Sequence, residues 1–151
     1  MSPFQLGSRF IGEITELPGA GQDHPFIQWC LSLTGLGFNA EDSVPWCSAY
    51  LNAICWLLRL PRSKSARARS WLLVGQAIQL PQAIVGYDVV ILKRGEGNQP
   101  NAEILDAPGH VGFYAGQEGA SVLVLGGNQG NGVSVLKFPI TRILGIRRLQ
   151  G

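Results

Sequence analysis

Val44-Pro45-Trp46-Cys47-Ser48-Ala49-Tyr50-Leu51-Asn52-Ala53-Ile54-Cys55-Trp56-Leu57-Leu58-Arg59-Leu60-Pro61 decides how the chain is read. The spacing predicts a helix over about Val44 to Leu60. Ser43 is placed to cap it, and Pro45 suits a first turn because its missing N–H costs nothing there. Pro61 stops it. Apolar residues cover nearly every face, and a helix apolar all round is buried. This helix is therefore expected at the centre of the molecule.

Two shorter helices precede it. One is expected over Pro3 to Phe10. A turn follows at Pro18-Gly19-Ala20-Gly21. The other runs from Pro25 to Leu33, with Asp23 or His24 at its cap and Gly35 and Gly37 at its end. A fourth helix is expected over Ser65 to Ala77, with Trp71, Leu72 and Val74 facing inward. From Tyr87 the period changes to alternation and short β-branched runs. Strands are expected at Tyr87 to Lys93, His110 to Ala115, Ser121 to Leu125, Val133 to Lys137 and Leu144 to Leu149. Gly95 to Ala107 reads as a polar loop and Gly126 to Gly132 as a turn. Helices first and strands afterwards predict an α+β fold, with helices packed on an antiparallel sheet of about five strands. At 151 residues the chain is expected to form one domain, 1–151.

Composition narrows the function classes. Apolar residues make up 46% and charged residues 15%, which is globular rather than disordered. A net charge of +2 argues against a dedicated nucleic-acid binder. No run approaches the roughly 18 apolar residues of a membrane span, and Met1-Ser2-Pro3-Phe4-Gln5 lacks the pattern of a signal peptide. Cys30, Cys47 and Cys55 with His24 and His110 fit neither a disulfide framework nor a zinc site. No metal or organic cofactor is expected.

Cys47 is the chemically interesting cysteine. A helix N-terminus presents backbone N–H groups and partial positive charge, which favour a thiolate and can hold an oxyanion. Cys30 and Cys55 lie within apolar helical runs and read as core. His110 opens a strand after Pro108-Gly109, where a histidine can serve a cysteine as general base. If the second and third strands form a hairpin, Asn128 returns to the end where His110 lies and can fix its tautomer. The glycine run around Asn128 lacks the Lys-Ser/Thr ending of a phosphate loop and leads into a strand.

These stretches together, Val44-Pro45-Trp46-Cys47-Ser48-Ala49-Tyr50-Leu51-Asn52, Gly109-His110-Val111-Gly112-Phe113-Tyr114 and Leu125-Gly126-Gly127-Asn128-Gln129, resemble the NlpC/CHAP superfamily of papain-like cysteine amidases and endopeptidases of bacterial cell walls. The likeness is nearest to a small, single-domain, often prophage-encoded branch. That branch also shares a Glu-x-x-Gly segment, here Glu16-Leu17-Pro18-Gly19 or with Glu13 in that role, and an Ala-x-Ser-Trp helix, here Ala68-Arg69-Ser70-Trp71. The chain departs in carrying Gly126 where CHAP enzymes often have Glu.

The resemblance implies a papain-like fold, Cys47 as nucleophile, His110 as base and Asn128 as orienting residue. It implies a peptidoglycan hydrolase that cleaves an amide of the peptide stem or cross-link. The expected setting is a phage or prophage endolysin, made in the cytoplasm and acting in the periplasm or at the wall after release by a holin. The alternatives are an injected antibacterial effector with an immunity protein, a non-catalytic wall-binding or virion module, and an acyltransferase or deamidase on the same scaffold. Glu13 and Glu16 are candidates for the amine of a substrate peptide, Trp46 and Trp71 for packing ahead of a cleft, and Asp42 for capping. Arg59, Arg62, Lys64, Arg67 and Arg69 read as a solvated basic face, with attraction to an anionic envelope as the second reading.

Overall fold

The computed structural model describes residues 1–17, 24–36 and 45–149. Among these residues it is an α+β fold: three α-helices lie on one face of a six-stranded, wholly antiparallel sheet. The helices are α1 (Pro3–Ser8), α2 (Pro25–Ser32) and α3 (Cys47–Leu58). The strands are β1 (Gln76–Ile78), β2 (Asp88–Lys93), β3 (Gly109–Glu118), β4 (Ser121–Gln129), β5 (Gly132–Pro139) and β6 (Ile143–Arg148), in the order β1-β6-β2-β3-β4-β5.

Helix α3 is central, as its composition requires. Every residue from Cys47 to Cys55 is buried. The last turn surfaces: Trp56 and Leu57 are exposed, with Trp56 edge-on to Trp29 of α2. Arg59 ends the helix in the left-handed conformation at φ 57°. The helix starts at Cys47, later than expected, with Trp46 at the N-cap and no side-chain cap. The proposed caps Ser43 and Asp42, and Val44, lie outside the described residues, as do Asp23, Gly37 and the Pro18–Gly21 turn. His24 does cap α2: its Nδ1 accepts from the Phe26 N–H at 3.1 Å.

The sheet is buried on both faces. Val89, Ile91, Val111, Phe113 and Leu125 face the helices, while Val90, Leu92, Tyr114, Val122 and Val124 form a second core beneath Phe138, Ile140 and Ile143. Strand β2 therefore alternates between two apolar environments, which explains its continuous Val-Val-Ile-Leu run. At one end of β2, Arg148 grips the buried Asp88 carboxylate with two hydrogen bonds of 2.9 Å.

Two expectations fail, each for a local reason. The fourth helix is replaced by a short 3-10 helix, Ala68–Leu73, followed by β1, a sixth strand. Gly75 stands between them at φ 65°, where a Cβ would lie 2.2 Å from the Arg148 carbonyl oxygen. The chain is thus pressed against β6 and pairs with it instead of continuing a helix. The expected turn at Gly126 to Gly132 is mostly strand, because β4 runs on to Gln129 and the turn is confined to Gly130 and Asn131. Both take positive φ, as a two-residue hairpin turn needs. Gly126 and Gly127 are glycines for lack of room. A Cβ on Gly127 would lie 2.5 Å from the Trp46 ring, and one on Gly126 would lie 2.6 Å from Gln129 Oε1.

Candidate active site

Cys47 begins α3, so the N–H groups of the first helical turn have no acceptor within the helix. Its thiol is 2% exposed. His110, the second residue of β3, is 7% exposed. The structure brings the two side chains close enough for each to shift the other's protonation. Burial pushes the Cys47 thiol up. Against burial stand the hydrogen bond to His110, the charge of that ring, a hydrogen bond from the Val111 backbone and the charge of Arg94. Together they win, and the thiol lies below its ordinary value. His110 moves the opposite way. Burial pulls it down, but the hydrogen bond and charge of Cys47, aided by a hydrogen bond to Gln129, raise it above the ordinary imidazole value despite Arg94. Opposite shifts of this kind favour a thiolate–imidazolium pair.

The side chain bonded to the His110 ring is that of Gln129, not the expected Asn128. His110 Nε2 donates to Gln129 Oε1 at 2.8 Å. The amide orientation is fixed on its other side, where Gln129 Nε2 donates to the carbonyls of Val124 (3.1 Å) and Ser134 (2.8 Å). An amide with its NH2 committed to two carbonyls must turn its oxygen to the ring. Nε2 of His110 therefore carries a proton, and Nδ1 is the ring nitrogen left to take up or give a second one.

The offset from 128 to 129 has a definite cause. On β4, Leu125 packs on the helix side, Gly127 presses against Trp46 and Tyr50, and Val124 and Gly126 face the other way, Gly126 towards His110. Strict alternation would put Asn128 on the His110 side. Between Gly126 paired with Ser134 and Gln129 paired with Gly132, however, β4 has one residue more than β5. This is a β-bulge, with Asn128 in the left-handed conformation at φ 58°. The extra residue hands the inward place to Gln129, while Asn128 lines the adjoining groove without bonding to the ring.

The other candidates take supporting places. Trp46 and Trp71 are fully buried, as packing residues. Trp46 Nε1 donates to Glu16 Oε1 at 2.9 Å, which ties the N-terminal segment to the residue before the nucleophile. One oxygen of Glu16 is thus engaged, and Glu13 is exposed. Trp71 Nε1 donates to Ser48 Oγ, whose own proton goes to the Ser65 carbonyl.

The basic stretch is not one solvated face. Arg59, Lys64 and Arg67 are exposed, and Arg62 donates to the Leu33 carbonyl and to Asn52. Arg69 is fully buried and makes no close ion pair, with Glu103 the carboxylate whose charge reaches it. Its guanidinium donates to the carbonyls of Pro100, Asn101, Ile104 and Pro108, at 2.7 to 3.0 Å. It thereby shapes the irregular 95–107 loop and the approach to His110. Periodicity gives no sign of this role, because an arginine between small residues reads as surface.

Cys30 and Cys55 are buried and free; burial raises both, Cys55 to about 12. Among the described residues no group of three or more His, Cys, Asp or Glu side chains is placed to hold a metal, and no helix is long and apolar enough to cross a membrane.

No protein-family model matches the chain, and no curated protein matches it. Among solved structures it is similar to NlpC1 from Trichomonas vaginalis, at 18% identity and a TM-score of 0.40. The match covers 91% of this chain and 48% of that one, so the chain spans about half the length of that structure. The likeness is loose.

Proposed function

We propose that the chain is a cysteine amidohydrolase with the papain-like arrangement of nucleophile, base and orienting amide. The observation that carries this is the buried pair of Cys47 and His110 at the start of a helix, with the His110 ring held by a hydrogen bond to Gln129. A structural cysteine has no need of an imidazole with a fixed tautomer, whereas a nucleophile does. The Cys47 thiolate adds to the amide carbon and forms the S–C bond. First-turn N–H groups of α3 are placed to receive the negative oxygen. His110 then gives its Nδ1 proton to the nitrogen as the C–N bond breaks, and the amine leaves. Water, with His110 as base, hydrolyses the thioester and restores the thiol.

Peptidoglycan as substrate, and a phage or prophage lysin as setting, rest on the likeness of the Trp46-Cys47, Gly109-His110-Val111-Gly112 and Gly126-Gly127-Asn128 stretches to wall hydrolases. The test is mass spectrometry of purified peptidoglycan after incubation with the native chain and with Cys47→Ala. New fragments with the native chain alone are expected, and their masses name the bond. Equal fragments from both refute the nucleophile. No fragments from either, across several wall types and with the Cys47 thiol free, refute the wall as substrate.

A further inference from the structure

A groove of about 430 Å³ opens beside His110, floored by Leu136 and Phe138. The Phe138 ring lies 5.3 Å from the imidazole. Three cations line this groove, Lys93, Arg94 and Arg142, and no Asp or Glu does. The ion pairs among the described residues, Lys137–Glu118 and Arg148–Asp88, involve none of the three. Arg142 donates to the Gly95 and Gly97 carbonyls and so holds the segment that carries Arg94. Unpaired cations on the wall of a concave, partly apolar site attract an anion.

Chemistry says which part of a substrate would lie there. A general acid must face the nitrogen that it protonates. The amine fragment therefore lies beside His110, which also forms part of the wall of this groove. We propose that the groove is the subsite for the departing amine fragment, and that it selects a fragment carrying a free carboxylate, held by Arg94 and Lys93. This rests on the amidohydrolase reading above.

Paired alkylation separates the two ideas. Iodoacetate and iodoacetamide each form an S–C bond at Cys47 and release iodide, and they differ in charge. A change in thiol acidity acts on both rates and cancels in their ratio. The iodoacetate-to-iodoacetamide ratio at Cys47, followed by peptide mass spectrometry, is expected to fall roughly three- to tenfold in Arg94→Gln. It should fall less in Lys93→Gln, hold in Arg94→Lys, and drop with added salt in the native chain. Arg94 is exposed, so these variants leave the core intact. A ratio unchanged in Arg94→Gln overturns the subsite while leaving the nucleophile standing. If neither reagent modifies Cys47 faster than an ordinary thiol, the amidohydrolase reading fails and the subsite falls with it. With peptidoglycan, converting wall carboxylates to amides should slow the native chain several-fold and Arg94→Gln much less; equal slowing of both overturns the proposal.

Discussion

Replacing Gln129 by Leu should damage the site far more than replacing Asn128 by Ala. The native amide accepts one hydrogen bond from His110 at 2.8 Å and donates two to backbone carbonyls. A hydrogen bond to a charged group contributes roughly 1.5–3 kcal/mol. Its loss lets His110 fall and, through the pair, lets the Cys47 thiol rise. At neutral pH the iodoacetamide rate at Cys47 should then fall roughly ten- to a hundredfold, with its acid limb moved to higher pH. The variant also orphans the Val124 and Ser134 carbonyls, at about 1–3 kcal/mol of stability, so rates belong well below the melting transition. Gln129→Glu provides the control. It loses the same two donors but keeps an acceptor and adds charge, so it should move His110 upward instead. In Asn128→Ala, an alanine held at φ 58° costs about 1–2 kcal/mol of stability and should change the alkylation rate no more than about threefold. An unmoved profile in Gln129→Leu, or a larger loss in Asn128→Ala, would refute the assignment.

Other outcomes follow from the same geometry. Hydrolysis should show a bell-shaped pH profile: activity appears as the thiolate forms, below the ordinary thiol range, and is lost as His110 gives up its proton, above the ordinary imidazole range. Stopped assays across pH 4–10 (roughly the span of both ordinary values) locate the limbs, and a profile that rises only near the ordinary thiol value contradicts the ion pair. Brief alkylation at neutral pH should label Cys47 alone, since burial raises both Cys30 and Cys55; peptide mapping reads this, and equal labelling of all three contradicts it. Gly127→Ala sets a methyl against the Trp46 ring and should cost about 1–3 kcal/mol by urea denaturation. Arg69→Met removes the four hydrogen bonds to the carbonyls of Pro100, Asn101, Ile104 and Pro108 and should cost at least about 1–3 kcal/mol. A midpoint close to that of the native chain would show that the loop holds its shape without Arg69.

The parts legible from sequence are those that local chemistry dictates. Helix α3 announced itself through an apolar run with a proline at each end, and the change of period after Tyr87 marked the strand half. His110 stood out as a histidine at a strand start. The misses share a cause: each depends on a partner distant in the chain. Strand β1 exists because β6 offers an edge 72 residues later, as Gln76 paired with Arg148 shows. Arg69 is buried because four carbonyls more than 30 residues away converge on it. Gly126 and Gly127 carry the composition of a turn but mark close approach to Gln129 and Trp46. Composition records that a side chain is absent, not which neighbour requires its absence.

The bulge at Asn128 makes the site a matter of parity as much as of identity. Deleting one residue between Gly126 and Gln129 would remove the bulge and leave the glutamine second after Gly126, the place that strict alternation itself turns towards His110. Inserting one after the bulge would instead turn the glutamine amide away from the imidazole, with the cysteine, the histidine and the glutamine all still in the sequence. Two chains can thus carry the same three side chains in the same order and differ in whether they form a site. In this hairpin the residue that faces the histidine is chosen by the number of residues on each strand, and a motif written without that number is off by one.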